Sequence, residues 1–569
     1  MGAAMSPPRS PTPPPPPQRG MPQELADLIQ TKPAVKKWVN ENVAKQYGLV
    51  WERYAEGIQE KINPNVLPML EYDEKKSILT DSIYDNILIE GDNYHALQVL
   101  NYTHSGKIDM IYIDPPYNLG GELGAFRYND KFVTEHDGYR HSKWLSFMWN
   151  RLNLAKNLLN KNGLLLISIN DVEDSQLRLL CDDIFSETNF ITKLIWKTRE
   201  NVDGRSVTGI STDHEYVLVY RKSEKSRFRG KMIDTKKFSN PDNDPRGPWM
   251  SSPIDGIATK NRRPNLHYDI INPKTKQKYF PNPANGWRFS KQTFTKLMKD
   301  DRIIWPKNPK SKPRLKRYLR ELKSQFTGFS SILDTVTYSA GTRELRDIMG
   351  SESFKFPKPV GLLIKLLEQH VSKNSIVLDF FAGSGTTGHA VLELNKIDGG
   401  NRKFILCTNN ENNICTQVCQ PRISKIIQGY KDKSGNNICG LNSNLQYFKI
   451  NTKLRRHMDR RQIAQKIAHV LCVKESCFSI VKKIGYKYII YKNQNDRYFG
   501  IVYTTGAVDD YLKNIRELKK TKKIKSKTIP TYAFAHDRTI PSRLRKSPLV
   551  RTVAIPMPLL NLWDRWFEK

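Results

Sequence analysis

The stretch Ile108–Gly120, IDMIYIDPPYNLG, decides how this chain folds around its most polar cluster. Its first six residues are nearly all apolar or aromatic, which predicts a buried strand. Pro115 and Pro116 follow, and proline lacks the N–H that a sheet ladder needs. The strand is therefore expected to end at Asp114. Ligands bind at the carboxyl ends of strands in an open α/β sheet, so Asp114 and Tyr117 are expected at a ligand site.

Strand-like and helix-like segments alternate on both sides of this stretch. Upstream, NILIEGD predicts a short strand that ends at Asp92, and downstream GLLLISIND predicts another buried strand. The alternation returns in SIVLDFFAGSGTTGHAVLELN. Strands that alternate with helices indicate a doubly wound parallel sheet. Between about 197 and 340 the sequence is polar, proline-rich and basic, and it is too long for a loop, which predicts an inserted domain.

A glycine-rich turn follows one of the predicted strands. The segment Asp379–Gly388, DFFAGSGTTG, has the spacing GxGxxG, which allows a tight turn and a close approach of the backbone to a ligand. A dinucleotide-binding dehydrogenase has the same spacing. No segment matches GxxxxGK[ST], which excludes a P-loop nucleotidase in this chain. Asp379 before the turn and the FxGxG form at Phe381 favour a ligand without phosphate.

The composition indicates a polyanion as partner. The chain has 92 Lys and Arg against 57 Asp and Glu, a net charge of +35, and nucleic acid is the commonest partner of such a charge. No apolar run is long enough to span a bilayer and no signal sequence begins the chain, which predicts a soluble intracellular protein. The seven cysteines form no CxxC pair and no zinc-like spacing, so neither a disulfide nor a structural metal is expected.

Several motifs together resemble a known family. IDPPYN with FFAGSGTTG resembles the β class of amino-group DNA methyltransferases. FRYNDKF, NGWRFS and PKPVGLL extend the resemblance to the modification (Mod) subunits of type III restriction-modification systems, over roughly residues 40–430. The resemblance implies an α/β fold: a circularly permuted, Rossmann-like, S-adenosylmethionine-dependent methyltransferase sheet with an inserted target-recognition domain and a basic C-terminal region.

The predicted domain boundaries follow from these assignments. In chain order they are a disordered proline-rich tail (1–20), a helical element (21–75), a first methyltransferase part with the catalytic motif (76–196), the target-recognition domain (197–340), a second methyltransferase part with the cofactor loop (341–430) and a basic C-terminal domain (431–569). The tail has too few large apolar residues to bury a core.

The DPPY motif fits the methylation of an aromatic amine. The lone pair of such a nitrogen is delocalised into the ring, and two acceptors that bind its N–H groups would expose that lone pair to a methyl donor. The Asp114 carboxylate and the Pro115 carbonyl are the expected acceptors, and Pro116 helps to fix the backbone. The base must first be flipped out of the duplex, and Tyr117 offers a flat face for stacking. Alternatively, these residues form only a strand-terminating turn.

The resemblance also implies cofactor contacts. Asp92 is expected near the adenine of the cofactor, or as a plain helix N-cap. Lys358 in FPKPV matches the family's cofactor-side helix start, and Thr386 and Thr387 are expected to cap the helix after the glycine turn. Many relatives place a ribose-binding acid where this chain has Thr408. The expected cofactor-binding residues are Asp92, Lys358, Asp379, Phe381, Ala382, Gly383, Ser384, Gly385, Thr386, Thr387, Asn409 and Glu411.

DNA contacts are expected from the basic insert. The residues Arg314, Lys316, Arg317 and Arg320 are expected to contact phosphates, although a run of charge is often only a solvated face. The expected partners are double-stranded DNA, a second copy of the chain in a homodimer, and a separate helicase-nuclease restriction subunit. The expected location is the cytoplasm with the nucleoid, or the nucleus in a eukaryote.

The predicted function is site-specific methyl transfer from S-adenosylmethionine to adenine N6 in DNA after base flipping. Cytosine N4 is the alternative target, because the same acceptors suit any aromatic amine. DPPY rather than SPPY favours adenine in this family. The alternative of another class is a DNA-binding specificity subunit of a restriction complex.

Overall fold

The computed structural model describes most of the chain after residue 67. The described residues are 51, 68–82, 85–120, 127–128, 131–134, 136–308, 310–451, 460–521, 524, 526–534, 539–557, 559–560 and 563. The predicted proline-rich tail and most of the predicted helical element 21–75 therefore lie outside the described residues. The helical prediction is wrong for Met69–Tyr72, which form a strand. Among the described helices, none is both long and apolar enough to cross a membrane.

A ten-stranded sheet forms the centre of the larger part of the chain. Its strands are β1 (Met69–Tyr72), β2 (Asp85–Glu90), β3 (Ile108–Ile113), β4 (Leu159–Ile169), β5 (Phe190–Lys197), β6 (His214–Arg221), β7 (Ile332–Leu333), β8 (Ile376–Asp379), β9 (Lys403–Thr408) and β10 (Asn444–Asn451). Their order across the sheet is β1-β10-β2-β9-β8-β3-β4-β6-β5-β7. The six strands from β10 to β4 in this order run parallel, whereas β1 and β6 run antiparallel to their neighbours. The α/β fold with a parallel sheet is confirmed.

Helices cover the sheet between its strands. They are α1 (Asn93–Thr103), α2 (Arg140–Leu158), α3 (Asp174–Phe185), α4 (Tyr338–Met349), α5 (Val360–Leu367), α6 (Thr386–Asp398) and α7 (Gln420–Gln428). The buried face of α2 places Trp144, Met148 and Leu152 in the main core, which is the i, i+4, i+8 spacing of an amphipathic helix. Apolar strand residues complete this core, so the sheet is buried as parallel sheets usually are.

The two motif-bearing strands are direct neighbours. Val377 and Leu378 of β8 pair in parallel with Met110 and Ile111 of β3, although more than 260 residues separate them. The Asp109 carboxylate adds a cross-link by accepting the Ile376 N–H at 2.7 Å. Because parallel strands end at the same edge of a sheet, the DPPY segment and the glycine turn both leave the sheet there. The predicted neighbourhood of these strands is confirmed.

The chain between 228 and 330 forms a compact unit of its own. Its elements include a three-stranded sheet (Trp249–Pro253, Ile303–Ile304, Arg314–Tyr318) and a helix (Lys291–Lys299) around buried Trp287. This unit is narrower than the predicted insert 197–340, because β6 and β7 belong to the central sheet. The sequence change near 197 marks a hairpin of the large sheet.

The C-terminal part has a second sheet. Helix Arg460–Glu475 packs on β1 and α1, and five strands follow: Ser479–Ile484, Tyr488–Lys492, Tyr498–Val502, Ile529–Ala533 and Val550–Val553. Helices Val508–Thr521 and Thr539–Arg545 lie between the last strands in the chain. Since β10 belongs to the central sheet, the predicted C-terminal region 431–569 contains one strand of that sheet.

Candidate active site

The Asp114 carboxylate lies at the end of β3 in a cluster of charged and phenolic groups. The ammonium of Lys358 donates to both of its oxygens, at 2.9 and 2.8 Å, and the Tyr117 hydroxyl donates to one of them at 2.8 Å. Glu215 accepts from the Tyr338 hydroxyl at 2.6 Å and lies 3.1 Å from the Tyr117 hydroxyl oxygen. The one buried ammonium of Lys358 thus lies between two carboxylates and offsets part of their negative charge.

The pKa values in this cluster follow from burial and charge. Burial works against the charged form of Lys358, but the negative charges of Asp114 and Glu215 outweigh burial and raise the pKa of Lys358 above its usual value. Burial and the Asp114 charge raise the pKa of Tyr117 as well. The lysine therefore stays protonated and the tyrosine stays neutral at ordinary pH, which holds a fixed pattern of donors around Asp114.

The backbone of the DPPY segment is held rigidly. The Trp144 indole N–H donates to the Pro116 carbonyl at 2.7 Å. Asn118 has a left-handed φ of 57° and donates its side-chain amide to Glu173 at 2.5 Å. Among the described residues no donor reaches the Pro115 carbonyl, and Pro115 lines the adjoining cavity. The segment thus presents one carboxylate and one unpaired carbonyl from a fixed backbone.

Lys358, which was expected on the cofactor side, lies beside Asp114. Its ammonium contacts Asp114, Tyr117 and Tyr338, and it is buried among them. Helix α5 begins directly after Pro359. Lys358 is therefore an ion-pair partner of Asp114, and its contact with a cofactor stays a prediction.

The glycine turn after β8 is shaped by its backbone. Gly383 and Gly385 have φ values of 50° and 81°, which other residues adopt only with strain. The Ala382 N–H donates to the Cys407 carbonyl of β9 at 3.1 Å, and Gly385 is the N-cap of α6. This turn leaves a side-chain-free surface at the amino end of a helix, which suits a ligand that backbone groups recognise.

Asp379 is buried beneath this turn. Its carboxyl group accepts from the Phe381 N–H at 2.9 Å and from the Thr387 hydroxyl at 2.5 Å. Burial raises its pKa to about 7, against the lowering effect of these two hydrogen bonds. The carboxyl group is thus committed to holding the turn, with its charge disfavoured by the surrounding core.

The predicted capping by Thr386 and Thr387 is wrong. The helix N-cap is Gly385, without a side-chain cap, and both threonines are buried in the first turn. Thr387 donates to Asp379, whereas Thr386 accepts from the guanidinium of Arg422 at 2.8 Å. Arg422, which the sequence did not indicate, is fully buried and also donates to the Ser384 side chain at 3.1 Å. Both threonines act beneath the turn, through other side chains.

Asp92 makes the N-cap contact that was one of its two predicted roles. Its carboxylate accepts from the Tyr94 N–H at 2.7 Å at the start of α1. It also lies 3.5 Å from the buried guanidinium of Arg151, while Asn93 donates to the Phe380 carbonyl at 2.8 Å. The end of β2 is thereby tied to the glycine turn. Contact with a cofactor stays a prediction for Asp92, as it does for Asn409 and Glu411 after β9.

A cavity of about 870 Å³ opens beside Asp114. Its walls include Pro115, Tyr117 and Phe354, and an added Cβ on Gly383 would lie 3.3 Å from the Phe354 ring. Phe354 therefore links the cavity wall to the glycine turn. The volume is ample for a planar heterocycle and part of a cofactor.

The predicted DNA-contact residues belong to the separate 228–330 unit. This unit has 24 Lys and Arg against 8 Asp and Glu, a net charge of +16. Arg314, Arg317 and Arg320 are exposed. Lys316 is buried, and its ammonium lies 2.7 Å from Asp242 and 3.2 Å from Asp244. The expectation of a phosphate contact is therefore wrong for Lys316, which is an internal ion-pair partner.

Comparison with known proteins identifies the family. The pattern of a DNA methylase family, the N6/N4 methyltransferases, matches residues 108–420, which is more than half of the chain and contains both turns. The chain belongs to this DNA methylase family. The resemblance seen in the motifs is confirmed.

Curated relatives extend this result. This chain is 34% identical to the Mod subunit of the type III enzyme StyLTI of Salmonella typhimurium, over 57% of this chain and 52% of that subunit. It is 30% identical to the EcoP15I Mod subunit of Escherichia coli, over 56% of this chain and 58% of that subunit. It is 32% identical to the type II methyltransferase M.KpnI of Klebsiella pneumoniae, over 59% of this chain and 84% of that methyltransferase. The match spans little more than half the length of the two Mod subunits.

Proposed function

We propose that this DNA methylase transfers a methyl group from S-adenosylmethionine to the N6 amino group of an adenine in double-stranded DNA. The observation that carries the proposal is the pairing of two turns at the ends of adjacent strands. One turn presents the Asp114 carboxylate and the Pro115 carbonyl, which no donor of the described residues reaches, and the other is a side-chain-free glycine turn. The two acceptors of the Asp114 turn suit the N–H groups of an aromatic amine, and the glycine turn suits the methyl donor.

The acceptor geometry supports activation of the amine. An ionised carboxylate has about four lone-pair positions, so Asp114 can accept an amine N–H while it keeps Lys358 and Tyr117. The Pro115 carbonyl accepts the second N–H. Both acceptors are fixed before the substrate arrives, so they stabilise the positive charge that develops on nitrogen without reorganising. The proton then leaves to Asp114 or to water.

The glycine turn fits S-adenosylmethionine as the cofactor. Gly383 and Gly385 present backbone without side chains at the amino end of α6, and the turn does not match the phosphate-binding pattern GxxxxGK[ST]. The residues that would hold it are Phe381, Ala382, Gly383 and Asp379, the last through the turn that it fixes. When bound, this cofactor supplies an electrophilic methyl group.

The cavity supports binding of an extruded base. Tyr117 is half-buried on its wall, and its hydroxyl is bound at the far end, so its ring face is held in place. Stacking of a base on an aromatic ring contributes about 1–3 kcal/mol, which offsets part of the cost of extrusion. DPPY, with its charged acceptor, favours adenine N6 over cytosine N4.

The partners belong to the same proposal. The +16 unit 228–330, with exposed Arg314, Arg317 and Arg320, would follow the phosphate backbone. The Mod relatives are named as subunits of restriction-modification enzymes. On this basis we propose that the chain forms a homodimer and binds a separate helicase-nuclease subunit. Its proposed location is the cytoplasm, with the cell's DNA.

Mapping of modified bases tests the proposal. DNA from cells that express the chain is expected to contain N6-methyladenine at one short recognition sequence. DNA from cells that express Asp114→Ala is expected to lack it, while the purified variant still binds DNA. N4-methylcytosine would assign the alternative target. Absence of any modified base with the wild-type chain would overturn the proposal.

A further inference from the structure

The hairpin loop 198–213 between β5 and β6 exposes three large aliphatic side chains. Val207 is fully exposed, Val202 is 76% exposed and Ile210 is 75% exposed. Exposure of single aliphatic residues is normal, but here three lie within nine residues, and no element of the described part of the chain covers them. We call these three side chains the apolar tip of the loop 198–213.

This loop is cross-braced. Its ends are joined by the Thr198 N–H donating to the Asp213 carbonyl at 2.8 Å. In its middle, the Asp203 carboxylate accepts from Arg199 at 2.7 Å, and the Asp203 backbone N–H donates to the Ser211 hydroxyl at 2.7 Å. The Ser206 hydroxyl donates to the Ile210 carbonyl at 2.5 Å. The three aliphatic side chains are thus carried on a defined backbone, and ordering them costs little on binding.

The loop rises from the edge of the sheet that holds Asp114. β5 runs parallel to β4 and β3, because both β4 and β5 are antiparallel to β6. Its carboxyl end therefore lies at the catalytic edge, and Thr198, Asn201 and Thr212 from the base of the loop line the same cavity as Asp114. The loop that carries the three aliphatic side chains thus starts and ends in the wall of the cavity that would receive the base, and Val202 directly follows Asn201 in that wall.

We propose that Val202, Val207 and Ile210 form a wedge that enters the DNA base stack beside the extruded adenine and fills the space that the adenine leaves. This inference rests on the proposed function. Apolar side chains that enter a base step offset the unstacking that extrusion requires. Three side chains are too small an area for a stable protein interface, whereas they match the size of a gap in a base stack.

The test compares two duplexes and two triple variants. The loop variant carries Val202→Ser, Val207→Ser and Ile210→Ser, and the matched control carries Leu179→Ser, Ile397→Ser and Ile480→Ser, which are exposed aliphatic positions elsewhere in the larger unit. One duplex is fully paired at the target adenine, and the other has an abasic site opposite it, which lowers the cost of extrusion. Single-turnover methylation is measured on each duplex, and extrusion is measured separately by fluorescence on versions of the same two duplexes that carry 2-aminopurine in place of the target adenine.

The loop variant is expected to lose about 10- to 100-fold in rate, and most of the 2-aminopurine signal, on the paired duplex. On the abasic duplex it is expected to stay within about threefold of wild type, because extrusion no longer needs the wedge. The control variant should match wild type on both duplexes. Equal losses on both duplexes, or no loss on the paired one, would overturn the wedge. Methylation by the wild-type chain reports on the proposed function separately.

Discussion

The DPPYN segment 114–118 and the glycine turn 379–387 leave neighbouring strands, yet they are built differently. The first is held by side chains from distant parts of the chain: Lys358, Glu215 and Trp144 all bond to it. The second is shaped mainly by its own backbone, with two left-handed glycines above one buried carboxyl group. The geometry of the DPPYN segment thus depends on a charge network, whereas the geometry of the glycine turn depends on its local backbone conformation.

The largest expected effect comes from removing the acceptor itself. Asp114→Ala should lower the methyl-transfer rate by about 10³-fold or more, since loss of one preorganised electrostatic group commonly costs 10²–10³-fold and the proton acceptor is lost as well. Binding of S-adenosylmethionine by equilibrium dialysis should change less than about threefold. A variant that loses cofactor binding as strongly as methyl transfer would show that the two turns are not separate in function.

The charge network can be broken at its centre. Lys358→Met leaves two carboxylates facing one another in a largely buried cluster, and loss of one partner of a buried ion pair costs about 3–5 kcal/mol in the free energy of unfolding. Adding Glu215→Gln should recover part of that loss in urea unfolding, whereas Tyr338→Phe should not. Equal stability of the single and double variants would contradict the proposed balance of charge.

Asp379 gives the glycine turn a pH dependence of its own. Its folded pKa of about 7 lies above the unfolded value near 4, so the native state keeps a proton that the unfolded chain has lost. Its contribution to the free energy of unfolding is therefore present at low pH, falls between about pH 4 and 7, and is lost above. Relative to Asp379→Asn, wild type should lose about 2–4 kcal/mol over that range in urea unfolding. If the free energy of unfolding had the same pH dependence in wild type and in Asp379→Asn, the raised pKa of Asp379 would be contradicted.

The smallest expected effect comes from replacing a glycine of the turn. The comparison distinguishes the cost of a left-handed backbone conformation from the loss of contact with the cofactor. Gly383→Ala and Gly399→Ala both place alanine at a left-handed φ, 50° and 64°, and each should cost about 1 kcal/mol of stability. Only Gly383 belongs to the turn, so only Gly383→Ala should weaken S-adenosylmethionine binding, by about tenfold in calorimetry. Weakened binding in both variants would show a global effect.

The same contrast explains what the sequence could predict. The glycine turn and the strand end at Asp114 are local patterns, and their adjacency followed from the doubly wound topology. Glu215 and Tyr338 were missed because they reach Tyr117 and Lys358 from an antiparallel strand and a helix, and no short motif predicts that these elements lie beside the DPPY segment. Lys316 was misjudged because a basic run does not reveal which of its side chains turns inward on a strand. Arg422 carried no signal beyond an ordinary amphipathic helix.

A structure of the chain with target DNA and a non-transferring analogue of S-adenosylmethionine tests the central claim most directly. The account predicts an extruded adenine whose N6 donates to the Asp114 carboxylate and the Pro115 carbonyl, with the position of the donor's methyl group about 3–3.5 Å away. It predicts the analogue against Phe381–Gly385. An analogue bound away from the glycine turn would contradict the account, and so would an adenine whose N6 makes no hydrogen bond to Asp114.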